Sequence, residues 1–224
     1  MARDIARPRI LLTGFGPYPG VPENPSGWLA ETLAARAPSH DYDLQARVLP
    51  TEWEAVAALT PRLHQTLQPH VMIHFGVSPR AKTLRIERSA HNRAASRTDA
   101  RGALPDTPAI SSGGAMRLDT GLPVTQLAAH LRTQGMPART SRSCGRYLCN
   151  FLYYRSLQWA HAQTRDALFV HIPPPSQGGP FSEDVLLHAG KETLHSVLSF
   201  TASQEARLAQ ARRPTASHAE ELRQ

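Results

Sequence analysis

Three side chains with the chemistry of acyl transfer lie in separate segments of the 224-residue sequence: Glu87, Cys149 and His171. A cysteine thiolate is a strong nucleophile, an adjacent imidazole can take up a proton and return it, and a carboxylate can orient that imidazole. His171 closes the apolar run Ala167–His171, and Glu87 follows the extended run Thr83–Ile86. Ligands of open α/β sheets bind outside the carboxyl ends of strands, so both residues stand where a site is expected.

Cys149 follows the arginine-rich segment Arg139–Arg146, close to the start of a helix that we predict over Gly145–Gln163. The partial positive charge at a helix N-terminus favours a thiolate, and Arg142 and Arg146 would act in the same direction. A cysteine on an apolar helix face is more often an inert core residue, and the chain has eleven histidines. On residue type and spacing alone, structural roles remain the simpler interpretation.

The sequence carries no signature of a metal or nucleotide site. Its two cysteines, Cys144 and Cys149, lie in one local segment, with a spacing that suits neither a zinc pair nor a disulfide framework. We interpret Cys144 as a packing residue rather than a resolving thiol. No Walker loop is present, and the segment Gly14–Gly16 lacks the third glycine of a dinucleotide fingerprint.

Apolar strand-like runs alternate with helical patterns, which predicts a single-domain, three-layer α/β/α sandwich around a twisted, largely parallel central sheet. Asn24 is the predicted N-cap of the first helix, and Thr51–Glu54 matches a capping box for the second. Residues 93–116 show little periodicity, and we expect a long surface excursion of the kind that is often functional. The predicted strands are Arg9–Thr13, Leu44–Leu49, Val71–Phe75, Thr83–Glu87, Ala138–Ser141 and Ala167–His171, and the later helices are Leu122–Gln134, Gly145–Gln163 and a last one from Ser182 to about Ala211.

The length and the charge of the chain indicate how many domains it has and which classes of partner it binds. We expect one domain over residues 1–211 and a polar C-terminal tail over 212–224. The formal net charge is +7, but the arginines are scattered rather than clustered, so we expect a basic surface without nucleic-acid binding. No apolar stretch approaches a membrane helix and no signal-peptide pattern opens the chain, so we expect a cytoplasmic protein that binds no membrane.

Four blocks of the sequence resemble those of pyroglutamyl peptidase I (pyrrolidone-carboxylate peptidase), a family of cysteine peptidases. They occur in the order and at the separations typical of the family, and together they span most of residues 9–200. The blocks are Thr13–Gly20 with Asn24–Ser26, His74–Ser78 with Ile86–Asn92, Gly145–Asn150, and Phe169–Pro173.

The resemblance implies a role for each matching residue. Cys149 would be the nucleophile, His171 the general base and acid, and Glu87 the carboxylate that orients the imidazole. Phe15 and Tyr18 match the two aromatic residues that enclose the pyrrolidone ring. The family reaction removes an N-terminal pyroglutamate from a peptide and needs no metal or cofactor. Bacterial members often form homotetramers, so the resemblance also implies a homo-oligomer, either a dimer or a tetramer.

The departures from the family pattern cluster around substrate contacts. Tyr18 stands where many members have Phe, and Val77 stands where many bacterial members have a Gln that touches the substrate ring. Ser78–Pro79 replaces the common pair of glycines, and Cys144 occupies a position that is usually a small residue. Arg97 matches an arginine that some members place near the oxyanion.

Two alternatives follow from these departures and from the charge. The first is a related thiol hydrolase that acts on a different blocked N-terminus or a lactam-like amide. The second is a non-enzymatic basic binding module. Phe15 and Tyr18 also fit a structural role as core aromatics beside a turn. If the peptidase interpretation is correct, we expect the Cys149 sulfur within hydrogen-bond reach of one His171 ring nitrogen and Glu87 at the other.

Overall fold

The computed structural model describes residues 7–176 and 179–211. Its strands are β1 (Arg9–Phe15), β2 (Asp43–Leu49), β3 (Val71–Val77), β4 (Leu84–Glu87), β5 (Ser89–His91), β6 (Arg117–Asp119), β7 (Ala138–Ser141) and β8 (Asp166–Ile172). Its helices are α1 (Pro25–Arg36), α2 (Trp53–Leu67), α3 (Val124–Thr133), α4 (Leu148–Gln163) and α5 (Glu183–Ala211).

The main sheet has the strand order β2-β1-β3-β8-β4-β7. Its neighbouring strands are parallel, except that β4 and β8 are antiparallel. Helices α1, α3 and α5 share one hydrophobic core cluster with the sheet, and helices α2 and α4 share the other. The predicted three-layer α/β/α sandwich with a largely parallel sheet is therefore confirmed.

The two-residue alternation of strand side chains decides which face each site residue occupies. On β8, Leu168 and Val170 pack toward α1, α3 and α5, whereas Phe169 packs toward α2 and α4. His171 follows Phe169 by two residues and therefore belongs to the α2/α4 face. By the same rule Glu87 on β4 lies on that face, because Ile86 beside it packs on the opposite side.

The two predicted helix starts had different outcomes. The Asn24 N-cap is confirmed, since its side chain accepts the backbone N–H of Ser26 at 3.1 Å. The capping box at Thr51–Glu54 is wrong, because the Thr51 hydroxyl donates to the carbonyl of Gly16 at 2.9 Å. The N–H of Trp53 instead donates to the carboxylate of Asp99 at 2.8 Å. Asp99 belongs to a segment that is distant in sequence from the start of this helix.

Helix α4 begins later than predicted, at Leu148 rather than at Gly145. Gly145 has a φ of +82°, which is the left-handed region and incompatible with a helix start. Cys149 is therefore the second residue of the helix. The last predicted helix is confirmed, with the Ser182 hydroxyl accepting the N–H of Val185 at 3.3 Å. The predicted tail over 212–224 lies outside the described residues.

The excursion over residues 93–116 contains no helix or strand, as predicted, although all of it is described. It is bracketed by the antiparallel pair β5–β6, which the sequence did not indicate. Asn92 anchors it, because its amide donates to the carbonyls of Ser111 and Gly114 and its oxygen accepts the N–H of Ser111. Over the described ranges, no helix has the length and apolar character needed to cross a membrane.

Candidate active site

One cavity of about 520 Å³ lies at the carboxyl ends of β1, β3 and β8 and at the N-terminus of α4. Every predicted site residue except Glu87 contributes to its lining, and Glu87 lies behind His171. The predicted residues on the wall are Phe15, Tyr18, Val77, Arg97, Cys149 and His171. The fold therefore assembles in one place residues that are spread over more than half of the sequence.

Glu87 and His171 form a buried pair. Nδ1 of His171 lies 2.8 Å from Oε1 of Glu87, whose side chain is fully buried. A carboxylate accepts hydrogen bonds, so Nδ1 carries the proton and donates it, which leaves Nε2 of the ring free to take up another proton. The ring of Phe169 packs against His171 at a centroid distance of 4.8 Å and restricts its orientation. This is the geometry of an oriented general base.

Cys149 is partly buried and its sulfur lies against the backbone of β3. A side-chain Cβ placed on Gly76 would lie 3.0 Å from the Cys149 sulfur, so only glycine leaves room for the thiol there. The expected hydrogen bond between Cys149 and His171 is not among the hydrogen bonds of the described residues. The two side chains share one cavity, and catalytic hydrogen bonds of free enzymes often tighten only when the substrate binds.

The electrostatics of Cys149 differ from the expectation drawn from the sequence. Burial, followed by the charge of Glu87, raises the pKa of the thiol to about 12. The arginines that lower this pKa are Arg97 and Arg85, rather than the predicted Arg142 and Arg146, and they do not outweigh burial. Burial therefore disfavours the thiolate, and a base that removes the proton would make the sulfur able to attack.

Cys144 packs beside the same histidine and is almost fully buried, although it contributes to the cavity lining. It is 3% exposed, and its sulfur lies 4.0 Å from Nδ1 of His171. Burial, with contributions from the charges of Cys149 and Glu87, raises the pKa of this thiol well above its ordinary value. Cys144 belongs to the α2/α4 core cluster and contributes to the inner lining of the cavity, which fits a packing role beside His171.

The wall formed by the β1 and β3 loops carries the predicted ring-binding residues. The N–H of Phe15 donates to the hydroxyl of Ser26 at 3.0 Å, which fixes the end of β1. Tyr18 and Val21 exchange two backbone hydrogen bonds, so the loop folds back on itself. Val77 ends β3 and lies half-buried on the same cavity. Phe15 also belongs to the α2/α4 core cluster, so its core interpretation and its cavity position both hold.

The opposite wall comes from the excursion. The guanidinium of Arg97 lies 4.6 Å from the centre of the Tyr147 ring, a cation–π contact at the cavity rim. The indole N–H of Trp53 donates to the carbonyl of Arg97 at 3.0 Å, and the hydroxyl of Tyr147 donates to that of Thr98 at 3.1 Å. Buried Asp99 accepts three backbone N–H groups of this segment and of α2. These contacts hold the part of the excursion that lines the cavity, which is Ala95 and Arg97.

The sequence interpretation missed two groups that organise the site. Arg85 forms an ion pair with Glu87, with its Nη2 atom 3.3 Å from Oε1 of Glu87. The alternation of β4 could have indicated it, since Arg85 and Glu87 share a face. Asn150 is buried on α4, where its amide donates to the carbonyls of His91 and Arg93. No local pattern in the sequence indicates this role of Asn150.

The side chains at the cavity are of the types that can carry out acyl transfer. Among residues 7–176 and 179–211, no three His, Cys, Asp or Glu side chains are grouped so that they could hold a metal ion. The cavity brings together a thiol, an imidazole oriented by a carboxylate, and the N-terminus of a helix. A thiol beside an oriented base can attack a carbonyl carbon.

Comparisons with known proteins agree with this geometry. The sequence model of the pyroglutamyl peptidase family matches residues 8–178. Human pyroglutamyl-peptidase 1 is 28% identical over 204 residues, which are 90% of this chain and 95% of the human protein. The pyrrolidone-carboxylate peptidase of Clavibacter michiganensis is 35% identical over 170 residues, or 74% of this chain and 78% of that protein.

Solved structures show the same likeness. A mutant pyrrolidone carboxyl peptidase (E192I) from Pyrococcus furiosus superposes with a TM-score of 0.79 at 27% identity, covering 85% of this chain and 98% of its own. Pyroglutamyl peptidase I of Bacillus amyloliquefaciens gives a TM-score of 0.77 at 26% identity, covering 86% and 98%. The match over residues 8–178, together with these relatives, shows that the chain belongs to the pyroglutamyl peptidase family of cysteine peptidases.

Proposed function

We propose that this protein hydrolyses the amide bond that follows an N-terminal pyroglutamate, with Cys149 as nucleophile, His171 as general base and acid, and Glu87 as the orienting carboxylate. The observation that supports this most strongly is the 2.8 Å contact between His171 and Glu87 at the cavity that Cys149 also lines. The relatives named above carry this activity in their names, and the family match over residues 8–178 includes the positions of all three residues.

Acylation begins with proton transfer from the Cys149 thiol to Nε2 of His171. The sulfur attacks the carbonyl carbon of the pyroglutamyl residue, the π electrons move to the oxygen, and a tetrahedral intermediate forms. The imidazolium of His171 then donates its proton to the departing amine as the carbon–nitrogen bond breaks. Glu87 holds the ring in one tautomer throughout and balances the positive charge of the imidazolium.

Deacylation repeats these steps with water. His171 takes a proton from a water molecule, the oxygen attacks the thioester carbonyl, and the thiolate of Cys149 leaves and recovers its proton. The free peptide and pyroglutamate are the products. In both steps the negative oxygen needs donors, and the first N–H groups of α4, which have no partner within the helix, are the nearest backbone candidates.

The lactam ring would lie between the loop of Phe15 and Tyr18 and the end of β3 at Val77. Phe15 and Val77 give apolar surface for the ring methylenes. In this placement the ring packs on apolar residues, and the amide bond to be cleaved lies toward Cys149 and His171.

The test is turnover of a panel of coumarin amides with different N-terminal groups. We expect release from the pyroglutamyl amide, none from the prolyl or N-acetyl-glutaminyl amides, and loss of at least about a thousandfold in kcat for Cys149→Ala. Turnover of another blocked amide in preference to the pyroglutamyl one would favour a related hydrolase. Val77 and Ser78–Pro79 at the cavity are the residues that would explain that outcome.

A further inference from the structure

A cation lies behind the Glu87–His171 pair, on the side away from the cavity. Arg85 precedes Glu87 by two residues on β4 and shares its face of the sheet. Its Nη2 atom lies 3.3 Å from Oε1 of Glu87, the same oxygen that accepts the hydrogen bond of His171. One carboxylate oxygen therefore serves both an arginine and the imidazole.

The burial of Glu87 makes this cation important. The Glu87 side chain is fully buried, and its second oxygen, Oε2, has no hydrogen-bond partner among the described residues. An ionised carboxylate in such surroundings is strongly disfavoured unless a cation or several donors compensate it. Of the salt bridges in the described structure, only those with Arg85 and His171 involve Glu87. His171 is neutral for part of the proposed cycle, so Arg85 is the permanent counter-charge.

Arg85 also connects β4 to the segment that leads into the nucleophile. Its Nη2 atom donates to the hydroxyl of Ser141 at 3.4 Å and to the carbonyl of Ser143 at 3.3 Å. The chain then continues through Gly145 into α4, where Cys149 is the second residue. One guanidinium thus contacts the carboxylate and the loop that precedes the nucleophile.

We propose that Arg85 is a positioning residue that keeps Glu87 in its charged form and sets the pH at which the Cys149–His171 pair becomes reactive. The inference rests on the proposed function for its meaning in catalysis. It goes beyond that function because a fourth residue, Arg85, compensates the negative charge of Glu87. Arg85 touches neither the cavity wall nor the reacting atoms.

Several titratable and charged groups surround the side chains of Glu87, Cys149 and His171. The titratable ones are His171 on β8, Cys144 on the loop before α4, Cys149 and Tyr153 on α4, and Tyr18 and Tyr147 at the cavity. The other cations are Arg97 at the cavity rim and Arg139, which is in register with Arg85 on β7. The Tyr153 hydroxyl donates to the backbone carbonyl of Glu87 and keeps its proton, because burial raises its pKa. Without Arg85, Arg97 is the arginine that still lowers the pKa of Cys149, so the site takes up a proton more readily.

The test is the pH dependence of Cys149 alkylation by iodoacetamide, with the labelled peptide identified by mass spectrometry. For Arg85→Met we expect the acid limb of the labelling rate to move upward by about one pH unit, because loss of a nearby cation stabilises the protonated forms. In Arg85→Lys, which keeps the positive charge, the acid limb should lie close to its wild-type pH. The matched control is Arg88→Met, since Arg88 lies one residue after Glu87 but is exposed.

The acid limb of kcat for the pyroglutamyl coumarin amide should move by the same amount, with KM within about twofold. An unmoved limb in Arg85→Met overturns the inference, as does an equal shift in Arg88→Met. If Arg85→Met does not fold, Arg85→Gln is measured in the same way and an unmoved limb has the same meaning. A limb that moves in a protein without pyroglutamyl turnover contradicts the proposed function and leaves the role of Arg85 intact.

Discussion

The two halves of the site are built in different ways. His171 and Glu87 lie on strands of one sheet, and Cys149 lies in the first turn of a helix packed on that sheet. The binding wall, by contrast, comes from irregular segments: the loop of Tyr18 and the excursion that carries Arg97. The first half is fixed by the sheet and by the helix packed on it. The second half is fixed by a small number of hydrogen bonds between irregular segments, such as those between Tyr18 and Val21 and those that Asp99 accepts.

This difference separates the reaction from the choice of substrate. Strand register places Glu87 opposite Phe169, and that register fixes its distance to His171 without help from any loop. The excursion depends on a few buried anchors such as Asp99, whose loss would move the wall without moving the reactive groups. Changes in the first half should therefore appear in kcat, and changes in the second half in KM.

The largest effect is expected for Glu87→Gln, which keeps the shape of the side chain and removes its charge. An amide can present either hydrogen-bonding group to His171, so the imidazole loses its fixed tautomer and its compensating charge. We expect kcat to fall by about a hundredfold to ten-thousandfold with little change in KM. Glu54→Gln, on the exposed side of α2, is the control and should match wild type. A tenfold or smaller loss would show that Glu87 is not part of the reactive half.

A smaller loss is expected for Gly76→Ala, which places a methyl group between β3 and the nucleophile. The new Cβ would lie 2.8 Å from the Phe169 ring and 3.0 Å from the Cys149 sulfur, so the thiol must shift. A misplacement of this kind lowers kcat by roughly tenfold to a hundredfold. Gly16→Ala is the matched control, because its nearest contact would be 3.7 Å. Equal kinetics for both variants would contradict the close packing of the thiol.

Asp99→Asn tests the loop half. It weakens the cap of α2 and the turn at residues 99–103, so we expect unfolding free energy to fall by about 1–2 kcal/mol and KM to rise several-fold, with kcat nearly unchanged. Thermal unfolding and steady-state kinetics measure both effects, with exposed Asp41→Asn as control. A fall in kcat larger than the rise in KM would break the proposed separation of the two halves.

The same residue gives a pH prediction. Burial raises the pKa of Asp99. The hydrogen bonds from the backbone N–H groups of Trp53, Ala103 and Arg101 outweigh burial and bring this pKa below its ordinary value of 3.8. A carboxyl group whose pKa is lowered by folding stabilises the protein at pH values above its ordinary pKa. This stabilisation is lost as the pH falls through the lowered pKa of the folded state. Wild type should therefore lose its stability advantage over Asp99→Asn below about pH 4. A difference that persists unchanged at lower pH would contradict this.

The smallest effect is expected for Tyr18→Phe. Among the described contacts the Tyr18 hydroxyl forms no hydrogen bond, and the ring supplies the surface. We expect kcat/KM to stay within about threefold of wild type for the pyroglutamyl substrate. A tenfold loss would assign the hydroxyl a direct contact with the substrate and would make this loop more than an apolar wall.

Much of the fold followed from local patterns. The alternation of apolar runs indicated the layers, strand Ala138–Ser141 has the predicted bounds, and helix Pro25–Arg36 begins directly after its predicted N-cap. These elements are encoded by nearby residues, such as Asn24 and Pro25 at a helix start. The start of α4 was predicted too early, because the helical pattern does not reveal the positive φ of Gly145.

The features that could not be predicted depend on contacts between distant segments. The N–H of Trp53 is capped by Asp99, 46 residues away, whereas the local pattern favoured Thr51. The arginines that act on Cys149 are Arg85 and Arg97, and the nearby arginine-rich segment does not supply them. Such pairings arise only when the sheet brings β4 and the excursion beside α4, so residue type and spacing alone do not indicate them.

The most direct test of the account is to identify the residue that carries the acyl group during turnover. A pyroglutamyl thioester or activated ester is mixed with the protein, the reaction is quenched in acid, and the digested protein is analysed by mass spectrometry. The account predicts a pyroglutamyl group on the peptide that contains Cys149, and specifically on Cys149 rather than Cys144, with none in Cys149→Ala. An acyl group on any other residue, or unchanged turnover by Cys149→Ala, would contradict it.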